Sequence, residues 1–251
     1  MFSVEDRDRV RDHVLGMAEA DARVVAAAVV GGLATGAGDR WSDLDLTFAV
    51  DDAASVDEVL EGWTQEVAAE LGGVHLFDLP AGAAIYRVFL LPGCLQVDLS
   101  FAPASAFGAR GPRFKLLFGN AVELPQPELA SANEVFGLGV HHAVRARFSM
   151  ERGRLWQAEH WISGVRDQAF LLACRRRGLE GTHGRRYDEL PADVLDGFED
   201  ALVRSLEPEE LERALAGAIA LLQRESEDAG ELGAAVEAQL QALASARDPS
   251  T

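Results

Sequence analysis

Val29-Val30-Gly31-Gly32-Leu33-Ala34-Thr35-Gly36-Ala37-Gly38-Asp39-Arg40-Trp41-Ser42-Asp43-Leu44-Asp45-Leu46 is the stretch from which the rest of the chain can be read. An apolar run of strand character ends on two glycines. A short polar loop follows, and a second apolar run opens with two aspartates one residue apart. Residues i and i+2 of a strand share a face, so Asp43 and Asp45 are expected to project together from one side of a sheet. Two carboxylates that close repel each other unless a cation lies between them. A hard divalent cation such as Mg²⁺ takes carboxylate oxygens and keeps substrate phosphates as further ligands. Gly31 and Gly32 have no Cβ, so the backbone can turn sharply and let a phosphate approach its amides. An Asp-x-Asp alone reads as a hairpin with a solvated acidic end. With the glycine pair and the flanking strands it reads as a site for a nucleoside triphosphate and its metal.

Gly31-Gly32, a spacer of about ten residues and Asp43-x-Asp45 resemble the signature of the DNA polymerase β-like nucleotidyltransferase superfamily. The usual pattern there is Gly-Ser, a spacer, Asp-x-Asp and a third carboxylate on a later strand. Gly32 stands where serine is commoner, which removes a hydroxyl that could touch phosphate. The Gly-Gly form resembles some aminoglycoside and lincosamide nucleotidyltransferases. The motif covers about the first hundred residues; beyond them the resemblance is one of architecture.

The third carboxylate is expected at Asp98, in Leu95-Gln96-Val97-Asp98-Leu99-Ser100-Phe101. A lone carboxylate is expensive to bury, and its simplest partner is the metal of Asp43 and Asp45. The alternative is an Asp98 that alternates outward on a half-exposed strand. Shortly afterwards comes Ala109-Arg110-Gly111-Pro112-Arg113-Phe114-Lys115, the densest basic segment of the first half. Arg110, Arg113 and Lys115 could meet a triphosphate, arginine as a bidentate fork and lysine as a point charge; a solvated loop making surface ion pairs is the other reading.

Around this centre the chain divides in two. Residues 4–22 carry apolar positions Val10, Val14, Leu15 and Met17 at helical spacing. Strands are expected at Val24–Val30 and Leu44–Val50, then a helix over 56–71 between a Ser55 N-cap and Gly72-Gly73. Three meandering strands should lie near 74–79, 84–91 and 94–101. Pro125-Gln126-Pro127 reads as a linker. Helical segments follow near 131–151, 154–178, 191–206, 208–225 and 228–246, and the polar tail 247–251 should fray. The expected fold is α+β: an N-terminal mixed-sheet nucleotidyltransferase domain, residues 1–124, followed by a C-terminal all-α bundle, residues 128–251.

In the bundle, Arg154 to Asp167 is chemically rich. Glu159, Ser163 and Arg166 share one helix face; Trp156, His160, Ser163 and Asp167 form the adjoining stripe. Glu159 is the first choice for the base that takes a proton from an acceptor hydroxyl, with Asp167 the second. Trp156 and Asp167 are candidates for acceptor binding, Trp156 by stacking on a sugar ring or adenine. All these residues would be equally at home on an ordinary polar helix face. His141-His142 and the loop His183 to Tyr187 read as mainly structural.

Bulk composition narrows the partners. The net charge is −18 over 251 residues, which repels nucleic acid over most of the surface and attracts polycationic small molecules; acidity that serves solubility alone is the other reading. No secretory leader and no membrane span are expected, so the location expected is cytoplasmic. Cys94 and Cys174 read as reduced core residues. By resemblance, the chain transfers AMP from ATP, its co-substrate, with two Mg²⁺ ions held by Asp43, Asp45 and Asp98, to a hydroxyl of an aminoglycoside-like antibiotic. Three other readings stay open: a protein-AMPylating enzyme of toxin–antitoxin type, a non-catalytic nucleotide sensor, and a polymerase or tRNA nucleotidyltransferase, which the acidity opposes. The sequence leaves the oligomeric state open.

Overall fold

The structure, a computed structural model, describes residues 1–126 and 128–245. It divides into two compact units, Met1–Glu128 and Leu129–Thr251. Pro127 of the expected linker and the tail 246–251 lie outside the described residues.

In the first unit, helix α1 (Val4–Ala20) starts at Ser3, whose side chain forms a reciprocal capping box with Asp6. Such a box satisfies two N–H groups that the first helical turn leaves without partners. Then come strand β1 (Val24–Val30), the single turn α2 (Gly31–Ala34), strand β2 (Leu44–Val50) and helix α3 (Val56–Leu71). Ser55 caps α3 at one end and Gly72, at φ 63°, closes it at the other. Strands β3 (Val74–Ala81), β4 (Ala84–Leu91) and β5 (Leu95–Pro103) follow, then the short β6 (Gly108–Ala109), β7 (Phe114–Phe118) and β8 (Val122–Glu123). The six-stranded sheet has the order β3-β4-β5-β2-β1-β7, and β6 pairs separately with β8. Within the large sheet, β2 and β5 run parallel and the other neighbours antiparallel. A parallel pair needs a crossover; α3 and the β3–β4 hairpin supply it.

Alternation decides what each face of the sheet carries. Leu44, Leu46 and Phe48 of β2 and Val97, Leu99 and Phe101 of β5 point into a core shared with Val14 and Met17 of α1 and Val59, Leu60 and Trp63 of α3. The rings of Phe48, Trp63 and Phe101 lie 4.9, 5.1 and 5.0 Å apart, pair by pair. Burying each contributes roughly 2–3 kcal/mol. Trp63 Nε1 donates to Asp21 at 3.0 Å, and the neighbouring Arg23, with Trp63, holds the Asp21 carboxyl down to about 2. The opposite face carries a small cluster of Ala26, Ala28, Ala49 and Phe107, with Phe114 against it. Asp45 and Asp98 alternate onto this second face.

The second unit is helical. Helix α4 (Ala132–Glu151), capped by a Ser131–Glu134 box, is followed by α5 (Leu155–Arg176), α6 (Ala192–Glu199), α7 (Pro208–Arg224), α8 (Gly230–Ala235) and α9 (Glu237–Ala244). Its core contains Phe136, Ile162, Leu172, Leu215 and Leu222.

Several expectations change. The basic segment does not end in a loop: Phe114–Phe118 is an edge strand paired with β1. The helix expected to reach 206 ends at Glu199, and the last expected helix is two short ones broken at Val236. Cys174 is buried, but Cys94 is exposed. Cys94 sits at φ 62° in the turn from β4 to β5, so the apolar flanks suggested burial where the backbone needed a bend.

Glu225, 1% exposed, fastens the second unit. Arg176, Arg177 and Arg224 reach its carboxylate at 3.2, 3.0 and 3.0 Å, joining the end of α5 to the end of α7. Burial pushes the Glu225 carboxyl up, but Arg177 and then Arg224 outweigh it and leave it below the ordinary glutamate range. Breaking a buried ion cluster from one side costs about 3 kcal/mol. Glu225→Gln is therefore expected to lower the unfolding free energy by about that amount at neutral pH, read from urea unfolding. A depressed carboxyl stabilises above its unfolded pKa and loses that contribution as pH falls through the folded one. The gap between variant and parent should accordingly close below about pH 4.

Candidate metal and nucleotide site

Asp43, Asp45 and Asp98 each offer a carboxylate oxygen, and these oxygens lie within 4.8 Å of one another. The sheet brings two of them together. Parallel pairing of β2 with β5 sets Asp45 directly beside Asp98, both half-buried, while Asp43 just outside the ladder is exposed. Burial first, and then the like charge of Asp43, push the Asp98 carboxyl above its ordinary range, against a hydrogen bond from Gln96. Gln96 Nε2 donates to both Asp98 oxygens, at 3.0 and 3.3 Å.

The donor set is all oxygen, the kind that suits Mg²⁺, Ca²⁺ or Mn²⁺ over softer metals. Gly31 adds a second sign of fit. It stands at φ 72°, and a Cβ there would come 2.5 Å from Asp45 Oδ2, so any side chain at this turn would collide with the carboxylate. Gly32 has no such constraint: its nearest neighbour is Gly38 at 3.8 Å. The residues present thus fit a hard divalent cation beside the glycine turn.

The predicted phosphate cations are placed unequally. Gly31 N donates to Arg113 O at 3.2 Å, which brings Arg113 to the glycine turn. Arg110, also exposed, donates from Nη1 to Pro125 O at 3.0 Å. Lys115 pairs with Val29, whose side chain belongs to the core under α1 and α3. Cross-strand partners share a face, so Lys115 is carried on the side of the sheet away from the carboxylates. The spacing of the three cations could not show this, because β7 was not legible as a strand.

Glu159, Trp156 and Asp167 belong to α5 of the second unit. Glu159 Oε1 accepts from Ser163 Oγ at 2.8 Å, as their i, i+4 spacing allows. Trp156 is 77% exposed. Asp167 is paired with Arg166 at 3.3 Å; together with burial, which dominates, it pushes the Tyr187 hydroxyl up to about 12. About 12 Å of helix axis separates Glu159 from Asp167, so the two carboxylates are alternatives for one role, not partners in it. His141, His142 and His160 gather round Trp161, with ring centroids 6.2, 5.1 and 4.9 Å away.

Three supporting residues escaped the sequence reading. Gln96 was findable, since it stands two positions before Asp98 and so shares its face. Asp39 and Ser42, which tie the loop before Asp43, carry no periodic signal.

No family model and no curated protein matches this chain. Among solved structures it is similar to an aminoglycoside 6-adenyltransferase from Bacillus subtilis, at 11% identity and a TM-score of 0.43, over 98% of this chain and 100% of that one. A likeness of that degree bears on neither the fold nor the chemistry of this protein.

Two outcomes follow from the geometry. Asp98→Asn keeps the bond from Gln96 but removes a desolvated like charge, so it should raise the stability of the protein in EDTA by about 1 kcal/mol, read as a higher melting temperature. Gly31→Ala should cost about 1–2 kcal/mol for the left-handed backbone and displace Asp45, weakening divalent-ion binding at least tenfold in a Mn²⁺ titration.

Proposed function

We propose that this protein is a Mg²⁺-dependent nucleotidyltransferase that moves AMP from ATP to a hydroxyl of a cationic small molecule of aminoglycoside type, releasing pyrophosphate. The observation that carries the reading is the convergence of Asp43, Asp45 and Asp98 beside the Gly31 turn. The motif resemblance supplies the reaction class, and the net charge of −18 favours a cationic acceptor.

In this reading the three aspartates hold two Mg²⁺ ions, and bound Mg²⁺ supplies Lewis acidity that favours the alkoxide of the acceptor and offsets charge on the departing pyrophosphate. The open backbone at Gly31 and Gly32 receives the triphosphate. Arg113 and Arg110 are the cations proposed to bind its outer phosphates. The acceptor oxygen attacks the α-phosphorus; the bond from that phosphorus to the bridging oxygen of the β-phosphate breaks, and pyrophosphate takes the electron pair. Glu159 takes the acceptor proton, with Asp167 as the competing base. Ser163, already bonded to Glu159, orients that carboxylate. Trp156 and Asp167 offer a stacking surface and a negative charge to a cationic ring system.

The deciding experiment incubates the protein with ATP, Mg²⁺ and a panel of aminoglycosides and other hydroxylated amines, followed by mass spectrometry. Gain of one AMP by a panel member supports the proposal. AMP found on protein side chains alone, or ATP binding with no pyrophosphate release, would replace it with protein AMPylation or a sensor. Asp45→Ala should lower the transfer rate at least a thousandfold (about 4 kcal/mol), with an unchanged far-UV spectrum.

A further inference from the structure

Asp45 and Asp98 are fixed by ladder hydrogen bonds, but Asp43 precedes the first residue of β2. Something other than the sheet must hold it. Behind the loop lies Arg7 of α1, only 5% exposed. Its Nη1 donates to Asp39 O at 2.6 Å and to Ser42 O at 3.1 Å. The Ser42 carbonyl belongs to the peptide bond that leads into Asp43, so the guanidinium fixes the plane from which that aspartate departs. The loop is tied once more at the surface: Asp39 N donates to Ser42 Oγ at 2.9 Å, and Asp39 Oδ1 accepts from Ser42 Oγ and from Trp41 N at 3.0 and 2.8 Å.

Arg7 is an unusual residue in that place. It shares the buried stripe of α1 with Val14, Met17 and Ala18. Among the described residues no carboxylate is paired with it, and its Nε is buried with no hydrogen-bond partner. Burying an arginine without a counter-ion is costly. If the stripe needed only packing, an apolar residue would fill it more cheaply. What the guanidinium adds is a single nitrogen, Nη1, that reaches two carbonyls three residues apart, one of them at the root of Asp43.

We propose that Arg7 is a positioning residue for the metal site: it holds the loop 39–42 so that Asp43 completes the oxygen cluster begun by Asp45 and Asp98. The inference rests on the metal-binding reading above and assigns to α1 a part in it.

The test is a Mn²⁺ titration followed by the electron paramagnetic resonance of the free ion, on the full chain without nucleotide. Arg7→Met keeps an unbranched apolar stem and removes the guanidinium donors. It should keep the far-UV spectrum and bind Mn²⁺ about tenfold more weakly. In turnover the same variant should need more Mg²⁺ for half-maximal rate while keeping most of its kcat at saturating Mg²⁺, a split that general loss of structure does not produce. Asp39→Ala, at an exposed position, loosens the same loop without touching the core. It should weaken Mn²⁺ about threefold, and it decides the matter if Arg7→Met fails to fold. Parental Mn²⁺ affinity in a folded Arg7→Met, or in Asp39→Ala should Arg7→Met not fold, would overturn the positioning role alone. A parent protein that binds no Mn²⁺ would overturn the metal reading and this inference with it.

Discussion

Asp45 and Asp98 stand side by side on neighbouring parallel strands, and carboxylate oxygens of Asp43, Asp45 and Asp98 lie within 4.8 Å of one another, close enough for like charges to repel. The sheet cannot relieve the strain by slipping. Strand side chains alternate, so moving β2 or β5 by one residue would carry Phe48 or Phe101 out of the core with its leucines and turn a carboxylate toward Trp63. The apolar face thus enforces the acidic one. The burial of those aromatic rings outweighs the repulsion, and the fold tolerates a charge cluster that its own stability does not favour.

Holding charges apart from solvent and close to one another is the arrangement that a cation relieves. Gly31 adopts a left-handed backbone right beside the cluster, where a Cβ would collide with Asp45. The third acid is held differently. Asp43 hangs from a loop whose carbonyls are gripped by a buried arginine, so the site combines a rigid floor, set by strand pairing, with a flank set by side-chain hydrogen bonds. Such a flank can yield where the ladder cannot.

The helical unit is organised by separate means. Its core is apolar and its caps are regular, with Ser131 and Glu134 closing the start of α4 and the Glu225 cluster locking the ends of α5 and α7. On α5 the Glu159 and Ser163 side chains bond to each other, and Trp156 presents its indole to solvent.

The sequence by itself determined the strands and helices of the first unit wherever periodicity was strong: β1, β2, α3 and β4 run over the residues their patterns indicate. It also marked Asp43, Asp45, Asp98 and Gly31, because paired acids and glycines are chemically rare in apolar strands. It failed at β7, a short edge strand with Lys115 near its start, at Cys94, where apolar neighbours disguised a turn, and at the broken helices near the end. Only the tertiary structure decided which face each residue occupies and which distant residue stands behind it. Strand register placed Asp98 against Asp45 and turned Lys115 away. Packing of α1 brought Arg7 under a loop more than thirty residues further along. Local propensity acts over a few residues, whereas register and packing are settled by contacts between segments far apart in the chain, and no spacing within one segment records them.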